Sequence, residues 1–350
     1  MTTLSRRALG RATLARQLLL ERHTRPVLDA IEALGGMQAQ APLAPYVGLW
    51  TRLAGFDPAE LSKLTEERRV VRTHLMRATV HLVSARDCLD WQLHFRARHA
   101  GSIAPLVRGL DVDRAELRAE ATRLLTARPR TRAELGRLLR TRWPDAEPGA
   151  LAFAAAQEVP ISQVPPRGVW GRTGPAAWTP VESWLGEPLR VTPVDDLVLR
   201  ALAAFGPASV ADLQMWSGLT RLAKVVARLP LIRFTTEDGR AVFDLPDAPR
   251  PDEDVPAPPR FLPEYDNLLL AHADRTRFNP ARRRVPLPPG PGATTGTFLV
   301  DGEWQGTWQL LDREMVLRPY GRVDFDPLLA EAARLRDFLA PGAPVRLVDE

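Results

Sequence analysis

The stretch Gly35-Gly36-Met37-Gln38-Ala39-Gln40-Ala41-Pro42 places two glutamines on either side of one small apolar residue, directly after a paired-glycine helix stop. In an extended chain alternate side chains share a face, so Gln38 and Gln40 would point to the same side. Two carboxamides cannot act as a strong base. They can orient a water through their carbonyl oxygens and hydrogen-bond a polar substrate. Taken alone, the triplet reads more readily as two surface glutamines in a polar loop, so its chemistry depends on the rest of the chain.

Other reactive side chains are scarce. Lys63 and Lys224 are the only lysines and neither lies in a motif near the triplet, which disfavours an amine nucleophile and a Schiff base. Cys88 is the single cysteine, so neither a disulfide framework nor a cysteine-based zinc or iron–sulfur site is expected. His74, His81, His94 and His99 lack an HExxH helix or matching carboxylate spacing, and no metal is expected. Gly35-Gly36 is no phosphate loop, because neither a Walker lysine nor GxGxxG follows. No cofactor is expected.

The elements that must position the triplet follow from patterning. At 350 residues the chain is long enough for two or three domains. Its 45% hydrophobic and 25% charged residues are globular composition. It has no apolar run of roughly 18 residues to span a membrane. Nor do residues 1–17 read as a signal peptide, so a cytoplasmic location is expected. Helices are predicted over 1–17, from Pro26 to the glycine pair, over 46–54, and over 58–66 behind Asp57-Pro58. The period then changes to short β-rich runs at 70–76 and 79–83, a hairpin, before helix resumes over 86–100. A second helical set at 113–157 contains a capping box at Thr131 and Glu134. Residues 159–165 and 168–174 follow as its hairpin, with Trp170 and Trp178 nearby. A third set begins at 194 and repeats the cap at Ser209 and Asp212. It ends in runs 231–236 and 241–245 around the turn Glu237-Asp238-Gly239-Arg240. Residues 246–259 read as a linker, and 261–271, 296–300, 304–311 and 314–317 as strands, followed by a helix at 325–339 and a last strand at 345–348.

The expected fold class is therefore α+β: three tandem winged-helix units followed by a small C-terminal β-barrel-like module. The expected domains are 1–110, holding the glutamine loop, then 111–190, 191–247 and 260–350.

Four segments in order, GGMQAQAPLAPYVGLWTRLAGF, RRVVRTHLMRATVHLVSARD, FLPEYDNLLLAHADR and VDGEWQGTWQ, resemble the winged-helix DNA glycosylase family of bacteria, the AlkZ/YcaQ-like enzymes of azinomycin-resistance type. The resemblance covers most of the chain. It implies duplex DNA held in a concave channel, and it makes Gln38 and Gln40 the catalytic pair, as the double-glutamine form of a Gln–apolar–Gln or Gln–apolar–Asp triplet. The implied activity is monofunctional hydrolysis of the N-glycosidic bond of bulky N7- or N3-alkylated purines. Such bases are cationic and leave with little acid help. Interstrand crosslinks, self-resistance to an alkylating natural product and general repair stay open alternatives.

The expected partner is double-stranded DNA carrying alkylated purines, bound by a monomer with no membrane role. Net charge is only +5, but the cations are almost all arginine, whose planar fork suits phosphate and guanine edges. Candidate DNA contacts are Arg72, Arg77 and His81 on the first hairpin, Arg275, and the cluster Arg282-Arg283-Arg284. Each has a bland reading beside it: a packed hairpin face, an Asp274–Arg275 surface pair and a solvated loop. Two other classes compete, a winged-helix transcription regulator and a non-catalytic protein that sequesters damaged DNA or drug. The first predicts a strongly basic recognition helix and a dimer; the second predicts dispensable glutamines.

Overall fold

The computed structural model describes residues 2–285 and 295–348, without the side chains at 97–100, 102, 103 and 106. His99, weighed above as a metal ligand, and residues 286–294 of the C-terminal module lie outside the described set. The chain is a mixed α+β protein that divides into two units. One comprises Met1–Phe56, Val198–Trp216 and Arg221–Glu350, the other Asp57–Leu197 and Ser217–Thr220.

In the first unit, helix Arg6–Arg16 starts at Ser5, whose hydroxyl accepts from the Ala8 amide. Helix Val27–Ala33 stops where the glycine pair dictates. Gly35 and Gly36 take φ of 66° and 82°, and the Gly36 amide reaches back to the Ile31 carbonyl at 3.0 Å. Strand Met37–Gln38 and helix Ala44–Trp50 follow at once. Later in the chain, hairpin Ile232–Thr236 and Ala241–Asp244 takes Thr3–Leu4 as a parallel third strand.

The C-terminal part of this unit is a sheet in the order Arg260–Leu262, Gly296–Val300, Glu303–Leu311, Glu314–Pro319, Val345–Leu347. Its first three pairings are antiparallel and the last is parallel. Helix Phe325–Leu339 carries the chain over one face, and Leu328, Ala332 and Leu335 bury against Phe261, Phe298, Trp308 and Met315. That crossover returns the final strand parallel to its neighbour, so the sheet stays open; it is not the barrel expected above. Gly306 is required by packing: a Cβ there would fall 2.1 Å from the Phe298 ring. The strand expected over 261–271 stops at Leu262. Pro263 has no amide to give the ladder, and Tyr265 turns the chain with φ of 62°.

In the second unit, strands Val80–Ser84, Val70–His74, Ile161–Val164, Ala177–Pro180 and Arg130–Thr131 lie side by side in that order, all antiparallel. The two hairpins are thus joined into one sheet, and the Thr73 hydroxyl donates to the Ile161 carbonyl at 2.7 Å across the seam. The second hairpin's outer strand begins at Ala177, and residues 168–174 form a loop instead of the strand expected there, with Gly168 and Gly171 both at positive φ. Helices Arg114–Ala127, Arg132–Leu139 and Pro148–Glu158 enclose Leu117, Leu125, Leu135, Leu139 and Leu151. No described helix is long and apolar enough to cross a membrane.

One element order recurs: helix, short extended segment (a two-residue strand in the first two instances, an isolated bridge at Ala208 in the third), helix, helix, hairpin. It runs from Val27–Ala33 to Val80–Ser84, from Arg114–Ala127 to Ala177–Pro180, and from Val194–Phe205 to Ala241–Asp244. In the second and third instances the short segment pairs with the outer hairpin strand, through Arg130 with Trp178 and Ala208 with Phe243. Both then open the next helix with a reciprocal cap, Thr131 with Glu134 and Ser209 with Asp212.

Candidate active site

Gln38 ends its short strand as a buried side chain, 7% exposed, and Ala39 beside it is fully enclosed. The chain then bends at Gln40, which is exposed. The strand ends two residues short of Gln40, so the regular alternation that would put the two amides on one face does not reach it. Gln38 is held inside the unit and Gln40 stands at the surface. Gln38 lines a void of about 10 Å³ together with Gln17, Arg52, Pro263, Asp266 and Asn267, a space on the scale of a single water.

The polar wall of this void is fixed. Asn267 donates its Nδ2 to the Gly36 carbonyl at 3.2 Å, gripping the chain two residues before Gln38. Arg52 donates Nε to the Gln17 carbonyl and Nη1 to the Gly48 carbonyl, each at 2.9 Å, and its Nη2 meets the Asp266 carboxylate at 3.0 Å. Both side chains of that ion pair are nearly excluded from water, which is tolerable only because each charge is met by further hydrogen bonds. Asp266 accepts from the Leu268 amide as well. Gln17 in turn donates to the Ala204 carbonyl at 2.8 Å. Gly48 lets helix Ala44–Trp50 approach the Met37 side chain, whose Cε would lie 2.5 Å from a Cβ at that position.

The sequence reading found the glutamines but not Gln17, Arg52 or Asn267 as their support. The available signal was FLPEYDN, which carries Asp266, the counter-ion of Arg52. The same segment carries Glu264, a carboxyl 8% exposed and pushed up to about 7 by burial. Burial, and then the charge of Glu264, also raises the neighbouring Tyr265 phenol.

The expected DNA contacts fall into different settings. Arg72 and His81 are buried, at 3% and 0% exposure. Arg72 sits mid-strand with Nη2 3.4 Å from Gln163 Oε1. His81 Nδ1 lies 3.0 Å from the Thr79 carbonyl and so carries the proton, leaving Nε2 3.4 Å from Arg77 Nη2. Both residues therefore lie within the packing of the hairpin, Arg72 opposite Leu82 on one face and His81 opposite Thr73 on the other. Arg77 occupies the hairpin's turn at φ of 56°.

In the first unit, Asp274 does not orient Arg275. It pairs with Arg240 and accepts from Thr276. Arg282 and Arg284 are exposed, whereas Arg283 lies 4.8 Å from the Tyr320 ring and donates to its carbonyl. Among the described residues no group of His, Cys, Asp and Glu could hold a metal ion.

A family model described as "DNA glycosylase AlkZ-like" matches residues 31–339, a span that includes the glutamine loop, its Arg52–Asp266 support and most of the C-terminal sheet. The fold is similar to that of the Streptomyces sahachiroi DNA glycosylase AlkZ, with a TM-score of 0.77 over 99% of this chain and 100% of that one, at 21% sequence identity. No curated protein matches the sequence.

Proposed function

Because the chain belongs to the AlkZ-like DNA glycosylase family, we propose that it is a monofunctional hydrolase of N7- and N3-alkylated purine nucleosides in duplex DNA. Gln38 and Gln40 are its catalytic pair. The observation that carries this is the enclosure of Gln38 against a rigid polar wall, beside a space of single-water scale. The alkylated base is cationic, so the electron pair of the C1′–N bond passes to the base without a strong acid. The sugar becomes oxocarbenium-like. A water oriented by an amide carbonyl oxygen adds to C1′, and the protonated adduct gives up its proton to bulk water, leaving an abasic site and the free base.

The absence of lysine from the loop's motif fits hydrolysis without strand cleavage. The recurring helix–strand–helix–helix–hairpin order is that of a winged helix, and the reading is of three in tandem followed by the C-terminal sheet. Duplex contact is assigned to Arg77, Arg275, Arg282 and Arg284 directly, with Arg72, His81 and Arg283 holding the hairpin and loop that present them. The protein acts as a monomer without cofactor. The open channel that the family resemblance implies would also admit bulky adducts and interstrand crosslinks, which a base-flipping pocket excludes.

The test is incubation with duplex DNA carrying a single N7-alkylguanine, followed by alkali to reveal abasic sites. Wild-type protein should release the base, and Gln38→Ala and Gln40→Ala should each lose most of that activity. Borohydride should trap no covalent complex. Binding without release, equal in all three proteins, would move the reading to sequestration or regulation.

A further inference from the structure

A cavity of about 600 Å³ in the first unit is walled by four arginines against two aspartates, a surplus of two positive charges. Both aspartates are spent on one cation. Arg240 Nε meets Asp238 at 2.7 Å and its Nη2 meets Asp274. Arg283 is committed to Tyr320. The surplus therefore resides on Arg275 and Arg282, neither of which has a carboxylate partner among the described residues. The Arg275 Nε is buried with no hydrogen-bond acceptor there, and a charged donor left buried and unmet is unfavourable.

The loop carrying these two residues is fastened at both ends. Asp212 accepts from the Ala273 and Asp274 amides at 2.9 and 3.3 Å, and Asp274 caps Thr276. Asn279 receives the Arg283 amide at 2.9 Å and donates to its carbonyl at 2.7 Å. A solvated surface loop has no need of this fastening. A preorganised anion cradle does, since Arg forks bind oxyanions well only when their geometry is fixed beforehand.

We propose that Arg275 and Arg282 form a phosphate site that grips one backbone phosphodiester of the bound duplex, away from the reacting base. The proposal rests on the DNA-binding reading for its physiological ligand, whereas the site itself is defined by its affinity for a phosphoryl group. The two non-bridging oxygens of a phosphodiester can each accept from one guanidinium.

The experiment uses the full chain with Arg282→Gln and with Arg275→Gln plus Arg282→Gln. Arg282 is exposed, so the single variant should fold and guards against a loss caused by unfolding. In one arm, the thermal midpoint is followed against inorganic phosphate and against sodium chloride at equal ionic strength. The wild type should gain stability from phosphate specifically, and the double variant should lose that response. In the second arm, affinity for undamaged duplex is measured across salt concentrations. The slope of log K against log salt should shrink by about 1 in the double variant, which loses the one phosphate contact, and by less than that in Arg282→Gln. A phosphate response identical in wild type and variants, or an unchanged salt slope, overturns the site. Failure of the wild type to release alkylated bases would instead sink the glycosylase reading and leave the phosphate response standing.

Discussion

Asn267 and Gly36 are 231 residues apart in the chain, yet the Asn267 amide donates to the Gly36 carbonyl at 3.2 Å, two residues before Gln38. The bond sets where the strand that ends in Gln38 begins. Asn267→Ala should lower the rate of base release by roughly 10- to 100-fold, the scale expected when a catalytic group shifts by about an ångström. Affinity for duplex should change less than about threefold. Asn267→Asp cannot donate and should behave like Ala, while Asn267→Gln should recover part of the rate. A parallel fall in binding and release would mean the residue supports the unit generally and does not position the loop.

Glu264 makes a prediction of the opposite kind, about stability. Burial raises its carboxyl from 4.5 to about 7, so the folded state favours the protonated form. Its favourable contribution is complete below pH 4.5 and is lost as pH rises through 7, where a charge must be held in the buried site. Glu264→Gln mimics the protonated acid. Its melting temperature should equal that of the wild type near pH 4.5 and exceed it by several degrees at pH 8.5. A difference that does not vary with pH would show that the carboxyl is solvated after all.

Local chemistry was legible in the sequence wherever the partner lay within about one helical turn. Thr131 with Glu134, Ser209 with Asp212, Asp57-Pro58 and the Gly35-Gly36 stop all appear where their residue types placed them. The wall behind Gln38 was not legible. Arg52 and Asp266 are 214 residues apart, and nothing in either neighbourhood announces the other. Two further failures had local causes. The run 261–271 has strand composition, but Pro263 withholds an amide and the pairing ends at Leu262. Gln38 and Gln40 would share a face in a longer strand, but this strand ends at Gln38. The open sheet was hidden for a topological reason: helix Phe325–Leu339 was visible in the sequence, but not that it returns the last strand parallel.

The buried pair Arg16 and Asp244 ties the first helix to the hairpin strand Ala241–Asp244. Nη1 and Nη2 meet the two carboxylate oxygens at 2.7 and 2.8 Å, with both side chains almost wholly excluded from water. Arg16→Met strands a buried carboxylate that retains the Arg250 contact and the Leu245 amide, and should cost about 3–5 kcal/mol in denaturant unfolding. Replacing Arg7, whose pairing with Asp301 is solvent-exposed, should cost under about 1 kcal/mol. Equal losses from the two would contradict the role of burial.

His272 should set part of the acid limit. It is fully buried, and its Nε2 lies 3.0 Å from the Phe205 carbonyl, which requires the proton on that nitrogen. Burial, and then the charge of Arg277, lower it from 6.5 to about 4, so the fold holds the neutral ring. A base with a depressed value contributes stability that is complete above pH 6.5. As pH falls from 6.5 toward 4 the unfolded chain takes up a proton that the folded chain refuses, and the contribution is lost. Over that window the pH dependence of unfolding free energy should include about one proton from this residue. His272→Gln keeps a donor for Phe205 and removes the titration. Its unfolding free energy should be lower at pH 7.5, and its slope between pH 6.5 and 4 shallower by about one proton. An unaltered slope would assign the acid sensitivity to other groups.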